Sequence, residues 1–429
     1  MDCIKEKPKV NSNRAAVKVN ASFTLWVEAF TLLAICDSLI SIYVSILPSI
    51  LRYAILLIWF FLSVLYIAKC RKTKRLLINL APAVAYAAIW GIKMLVGRNF
   101  TNEFYSPIKI GTDAGSFILT IVMAHTVAVL PKANKKRILR LFLIFASVTV
   151  IPSLIYVQFY PDAVRDVYDG FANVNFQYVY AIIAAIVMGF YIIKSKNIIK
   201  KRYAVIFFVT NVLLIIFANF ATAFICTFGG FVLMLLCTKK RSFKSIVVIL
   251  CVAVALLLLL SPLIAQLCYA VSKLGIFSPI MQKRIASIGD FLLGKGGGTS
   301  FGNRFNLMSW SYNSFLKNPV FGIGFADFGR GTVGFHETWV SLLGAMGIVG
   351  TALYCLTIGL TVKSVLSQIR VKSFAVAYKV LLLLYLFMSF LNPLTFRDCL
   401  IALFVIAPMF ELFLGKKHYA KEALFNRRA

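Results

Sequence analysis

The sequence predicts an all-α integral membrane protein of about twelve transmembrane helices, with both termini cytoplasmic and one long outer loop at residues 269–335. Three observations carry this. The 429 residues are 60% hydrophobic and only 14% charged, with mean hydropathy +0.86, a balance that a water-soluble domain of this length cannot bury. Apolar runs long enough to cross a hydrocarbon core of about 30 Å recur from Ser22 to Leu414. Between them, Lys and Arg cluster in every second connection.

Apolar runs set against charge clusters place helices near 22–47, 50–68, 76–96, 111–130, 140–160, 174–193, 203–219, 222–238, 246–268, 338–362, 374–391 and 399–414. The stretch 203–238 reads as a hairpin of two short spans, because it is too long for one and its centre, "ANFATA", is small and polar. The organisation is then a basic N-terminus at 1–21, nine helices over 22–268, the outer loop 269–335, three helices over 336–414 and a basic tail at 415–429. The first twenty residues lack an apolar core and a small-residue cleavage site, so they read as a basic lead-in to an uncleaved first helix.

Alternate connections hold five bases in 1–20, five in 69–75, five in 131–140, five in 194–202, four in 239–244, three in 363–372 and five in 415–429, which is 32 of the 46. Only Asp2, Glu6 and Glu422 accompany them. The positive-inside rule therefore puts these connections and both termini in the cytoplasm. It also explains the net charge of +31 as topology, and a nucleic-acid partner is not expected. The nine cysteines show no C-x-x-C or Cys/His metal spacing, so they read as small apolar residues with no metal expected. Cys268 and Cys399 fall near outer helix ends, where free thiols are still the expectation.

On the outer side only 269–335 has room for structure. Its segments "FSPIMQKRIASIGDFLL" and "RFNLMSWSYNSFLKNP" carry helix-like apolar spacing (Phe305, Met308, Tyr312, Phe315, Leu316), as expected of helices lying at the membrane interface. "GKGGGTSFG" between them reads as a linker, since it matches no Walker loop in order or spacing. The loop holds Lys273, Lys283, Arg284, Lys295, Arg304, Lys317 and Arg330 against Asp290 and Asp327, a basic excess that suits an anionic partner: a lipid head group or a phosphorylated substrate.

Of the three histidines, His125 falls near the inner end of the fourth helix and His418 in the basic tail; His336 alone falls outside, just before a helix. An imidazole is the side chain best matched to removing a proton near neutral pH, although a helix-capping His fits this position about as well. Asp37, deep in the first helix, supports a competing transporter reading with proton or ion coupling, set against a structural pair with Lys93 or Arg52. Glu28, Lys379 and Glu411, near the inner ends, are expected to snorkel.

With Arg304, Trp310, "NPVFGIGF", His336 and "LLGAMGIVG" in that order, residues 304–350 resemble the signature of the bacterial O-antigen ligase and O-antigen polymerase superfamily. "RDVYDGFANVNFQYVYA" looks like that family's Arg, Gly and Asn pattern, here Arg165, Gly170 and Asn175. The resemblance implies a metal-independent glycosyltransferase without cofactor in the bacterial plasma membrane. Such an enzyme joins glycan repeat units carried on undecaprenyl diphosphate to a glycan acceptor, as in capsule or O-antigen biosynthesis. His336 would activate the acceptor hydroxyl with Glu337 orienting it or acting as the base, while Arg304, Arg165, Arg284 and Arg330 would neutralise the diphosphate. Membrane lipids, a chain-length regulator and a flippase of the same pathway are the implied partners. Polymerase is the first reading and ligase the second; a flippase for such glycans, or a secondary transporter, is the alternative of a different class. The chain departs from the pattern twice: the hairpin "ANFATAFICTFGG" has no Arg where many relatives have a Ser-Arg pair, and Glu337 stands where Asn is common.

Overall fold

The computed structural model describes residues 20–96, 107–159, 176–195, 201–218, 220–238, 243–275, 279–295, 300–324, 333 and 337–414. They form helices and, among the described residues, no strand: α1 (Ala21–Leu39), α2 (Ser41–Ile46), α3 (Ser49–Lys69), α4 (Thr73–Val96), α5 (Pro107–Val129), α6 (Lys132–Phe159), α7 (Phe176–Lys194), α8 (Lys201–Phe217), α9 (Ala221–Thr238), α10 (Phe243–Leu259), α11 (Ser261–Ser272), α12 (Pro279–Leu292), α13 (Ser300–Lys317), α14 (Trp339–Leu366), α15 (Lys372–Leu391) and α16 (Arg397–Ile401). A π-helical turn (Ala402–Ile406), α17 (Ala407–Met409) and a 3-10 turn (Phe410–Phe413) complete the chain's last span.

Seven of the described helices are long and apolar enough to cross a membrane, and five shorter apolar ones accompany them. Large side chains such as Trp26, Ile50, Phe61, Leu65, Val232, Val248 and Phe387 stand exposed around the bundle, which is stable only where lipid covers them. The chain is a multi-pass membrane protein. α7 runs through the middle, with Ala181–Met188 wholly buried against α8, α9 and α15. Gly230 on α9 makes that packing close, since a Cβ there would lie 2.7 Å from Val187 Cγ2 and 3.1 Å from Leu384 Cδ2.

Four expected helices are interrupted, three of them for a reason local in the chain and the fourth, α14, by a segment of the long loop. The first ends at Leu39, because Ile40 is extended (φ −127°) and Pro48 holds Leu47 extended (φ −93°, ψ 129°), leaving Ser41–Ile46 as a separate short helix. The run expected at 246–268 divides at Leu260, two residues before Pro262 opens α11. In the last span Pro408 has no N–H, and Ala407 N bonds to Ala402 O in place of the α-helical partner, producing the π-helical turn.

At the end of the bundle opposite the long loop, Glu28 and Glu411 are buried and bonded, contrary to the expectation that they snorkel. Glu28 accepts from Asn134 Nδ2 (2.5 Å) and pairs with Arg137 Nε (3.0 Å), tying α1 to α6. Glu411 accepts from Arg370 N (2.7 Å) and Val371 N (2.8 Å), so it caps the start of α15. His125 is buried there too, 3.0 Å from Asn79 Nδ2. The eight described cysteines, Cys268 and Cys399 among them, are free.

Candidate functional site at the loop end

The long loop returns to the bundle by entering a broken helix. At Gly347 (φ 63°, ψ −167°) α14 leaves helical geometry, in a region open to glycine and strained for any other residue. An unbroken helix would bond Ile348 N to Gly344 O and Val349 N to Ala345 O. Both pairs are parted, and "NPVFGIG" fills the gap from the side. Ile323 N donates to Gly344 O (3.0 Å), Gly324 N to Ala345 O (2.9 Å), Ile348 N to Pro319 O (2.8 Å) and Val349 N to Val320 O (3.1 Å). All four backbone groups that the break parts thus find partners.

Glycine makes the approach feasible. A Cβ at Gly347 would stand 2.4 Å from Val320 O, one at Gly322 2.5 Å from Ala345 C and O, and one at Gly344 2.6 Å from Ser311 O. α13 thus lies directly on α14 through small residues, with Ser311 Oγ 3.3 Å from Ser341 Oγ, while Phe305, Tyr312 and Leu316 face outward. Met308 and Phe315, expected on the same stripe, are partly buried. Lys93 Nζ, at the end of α4, donates to Gly322 O (2.8 Å) and so fastens the inserted segment from the other side. Lys93 is therefore not the partner of Asp37.

The start of α14 is equally fixed. Glu337 is 2% exposed; its Oε1 accepts from Ser341 N and Ser341 Oγ (both 2.6 Å), and its Oε2 accepts from Val340 N (2.8 Å). Burial pushes its carboxyl above the ordinary glutamate range, with these hydrogen bonds pulling the other way. Thr338 binds the end of α15 and the link after it: its N–H donates to Ser389 O (2.8 Å), its hydroxyl donates to Asn392 O (3.0 Å) and accepts from Leu394 N (3.0 Å). Trp339 Nε1 adds a bond to Ser389 Oγ (2.6 Å).

The link then reaches Arg397, which leads to a polar cluster that sequence reasoning only half found. Asp37, 3% exposed in its side chain, takes Arg397 Nη2 on Oδ2 (2.9 Å) and Arg52 Nη1 on Oδ1 (3.2 Å). Arg397 Nη2 also donates to Asp37 O (3.2 Å), and Arg52 Nη2 to Ser49 Oγ (3.2 Å). The pair of Asp37 with Arg52 was one of the two expected. Arg397 was missed, although a base in a connection assigned to the outer side is itself a signal under the positive-inside rule.

Of the residues singled out in sequence, Glu337 lies at this end as described. His336, its chain neighbour, lies outside the described residues, as do Arg165 and Arg330. Arg304 belongs to the second turn of α13, with a side chain outside those described. Arg284 is half-buried on α12, which packs chiefly on α11.

No curated protein matches this chain. The family model described as O-antigen ligase matches residues 204–355, a span that begins in α8 and takes in the α8–α9 hairpin, the loop, the interlocked backbone and Glu337. Over that span, about a third of its length, the chain is similar to the O-antigen ligase family, as the resemblance in "NPVFGIGF" and "LLGAMGIVG" implied.

Proposed function

We propose that the protein is a polysaccharide polymerase, joining undecaprenyl-diphosphate-linked oligosaccharide repeats at the outer face of the bacterial plasma membrane, with twelve spans and both termini cytoplasmic. The observation that carries the reading is the family match over 204–355. It covers the segment whose backbone interlock fixes the start of α14, beside which His336 stands in the chain. The match supports membrane glycan processing of the ligase or polymerase type.

In this mechanism His336 takes the proton of the acceptor hydroxyl as the hydroxyl oxygen attacks the anomeric carbon, and the bond to the diphosphate oxygen breaks. The leaving diphosphate gains negative charge as the bond lengthens, so fixed guanidinium donors stabilise the transition state more than the ground state. Arg304, Arg165, Arg284 and Arg330 are the candidates for that role. Glu337, with both oxygens engaged by the helix start, acts as a positioning group for His336. The ligase reading shares donor and chemistry and differs in the acceptor, and the description of the matching family favours it as the second reading. The transporter reading rested on Asp37, which instead is bound by two guanidiniums.

The test is chain extension by purified protein in detergent supplied with lipid-linked repeats, a setting in which a flippase shows no activity. His336→Ala and Arg304→Ala are expected to insert and fold normally and to leave single repeats on the carrier. Long polymer from both variants overturns the assignment.

A further inference from the structure

The cluster of Asp37 with Arg52 and Arg397 holds more donor capacity than an ion pair uses. One buried carboxylate is shared by two guanidiniums whose side chains remain 17% and 20% exposed, so both reach the surface of the loop end. Asp398 Oδ1 stands 3.9 Å from Arg397 Nε, at the outer limit of an ion pair. Among the described residues, two buried donors of this core have no hydrogen-bond partner: Arg52 Nε and the Tyr43 hydroxyl. Tyr43 lies within electrostatic reach of Asp37 and Arg52.

Unpaired donors in a membrane protein's interior are costly, and two beside a carboxylate that already serves two guanidiniums call for an acceptor-rich group. We propose that Arg52, Arg397 and Tyr43 form the seat of a lipid-borne phosphate, with Asp37 holding both guanidiniums in place. On the functional reading above, on which this assignment rests, that phosphate is the diphosphate of the glycan carrier.

The geometry suits the role in two ways. Asp37 occupies one Nη of each guanidinium, so each fork is oriented before a ligand arrives and loses little freedom on binding. The link 392–397 places the seat in covalent continuity with the contacts of Thr338, and hence with the start of α14 beside His336. Arg397 and Arg52 thereby supply, from the last and second spans, the positive charge that the α8–α9 hairpin lacks.

Phosphate on a lipid has two sources, the carrier diphosphate and bulk anionic phospholipid, and the experiment separates them. Full-length protein in phosphatidylcholine nanodiscs is titrated with undecaprenyl diphosphate or with phosphatidylglycerol, binding being read by native mass spectrometry. The wild type is expected to bind undecaprenyl diphosphate at least tenfold more tightly than phosphatidylglycerol. Arg397→Gln and Arg52→Gln each lower the former at least tenfold, and Tyr43→Phe lowers it several-fold. Where a Gln variant fails to fold, Arg397→Lys, which keeps the charge and loses the fork, is expected to fold and bind several-fold more weakly. Folded variants that bind like the wild type overturn the seat. Equal binding of phosphatidylglycerol overturns the carrier assignment and leaves a head-group site. Binding that depends on Arg397, in a wild type that extends no lipid-linked glycan, supports the seat while the polymerase reading fails.

Discussion

Replacing Gly347 by Ala tests the interlock of loop and helix without reference to any activity. The added Cβ meets two costs. The backbone at φ 63°, ψ −167° is close to glycine-only, which costs an L residue about 1–3 kcal/mol. The Cβ would also lie 2.4 Å from Val320 O and 2.5 Å from Gly322 N, and both are backbone atoms with nowhere to retreat, because Ile348 N and Val349 N hold the same strand of chain. Relieving the clash means parting at least two of the four crossing hydrogen bonds, at roughly 0.5–1.5 kcal/mol each. Together these predict a loss of about 2–6 kcal/mol, large against the stability of most domains. The control lies twelve residues on in the same helix: Gly359 is exposed, with nothing within 4 Å of its Cβ position, and Gly359→Ala should be neutral or stabilising by about 0.5–1 kcal/mol. Thermal unfolding of both variants in the same detergent, followed by size-exclusion recovery, reads the difference. If Gly347→Ala melts with Gly359→Ala, the broken helix is not held by the loop and the reasoning fails.

Two further outcomes follow from the start of α14. Glu337→Gln keeps an acceptor for the helix N–H groups and fixes the neutral form that burial favours, so it should melt no lower than the wild type at neutral pH and extend chains within about tenfold of it. Wild-type Glu337, its carboxyl raised, contributes most to stability below the ordinary glutamate pKa of about 4.3 and loses that contribution as pH rises through its raised value, so any stability gap between the two proteins should close on acidification. Loss of activity as complete as in His336→Ala would make Glu337 the base.

How far the sequence foretold this structure depended on which force set each feature. The apolar runs and their basic flanks foretold the helices closely, because hydrocarbon thickness and charge exclusion act on every span alike: α3, α4, α14 and α15 begin and end within a few residues of their expected places. The interruptions at Ile40, Gly347 and Ala402–Ile406 were not foreseen, since each depends on a single residue, or on a partner segment distant in sequence, and hydropathy is blind to both. Gly322, Gly344 and Gly347 could be named as family residues before their physical task was visible. Only the folded chain shows that each marks a place where two backbones pass closer than a Cβ permits. Asp37 followed the same pattern: its partner Arg52, fifteen residues on, was among those expected, whereas Arg397, at the other end of the chain, required the three-dimensional arrangement.

The loop end therefore draws its stiffness from an unusual source. Loops over a membrane surface generally owe their order to their own packing, and a site built on one inherits its mobility. Here the loop's returning segment replaces part of a helix, so moving it requires giving up four backbone hydrogen bonds together. The start of α14 also holds the connection from α15 to α16: Thr338 supplies both an acceptor for Leu394 N and a donor for Asn392 O, so the link 392–396 cannot shift without disturbing it. The start of α14 and the link 392–396 thus hold one another in place. They leave His336 and Glu337 on one side of that junction in the chain, and Arg397 with Asp37 on the other. A reaction that must hold an acceptor hydroxyl and a departing diphosphate at a fixed separation is served by such a junction, because the separation is then set by backbone and not by side-chain rotamers.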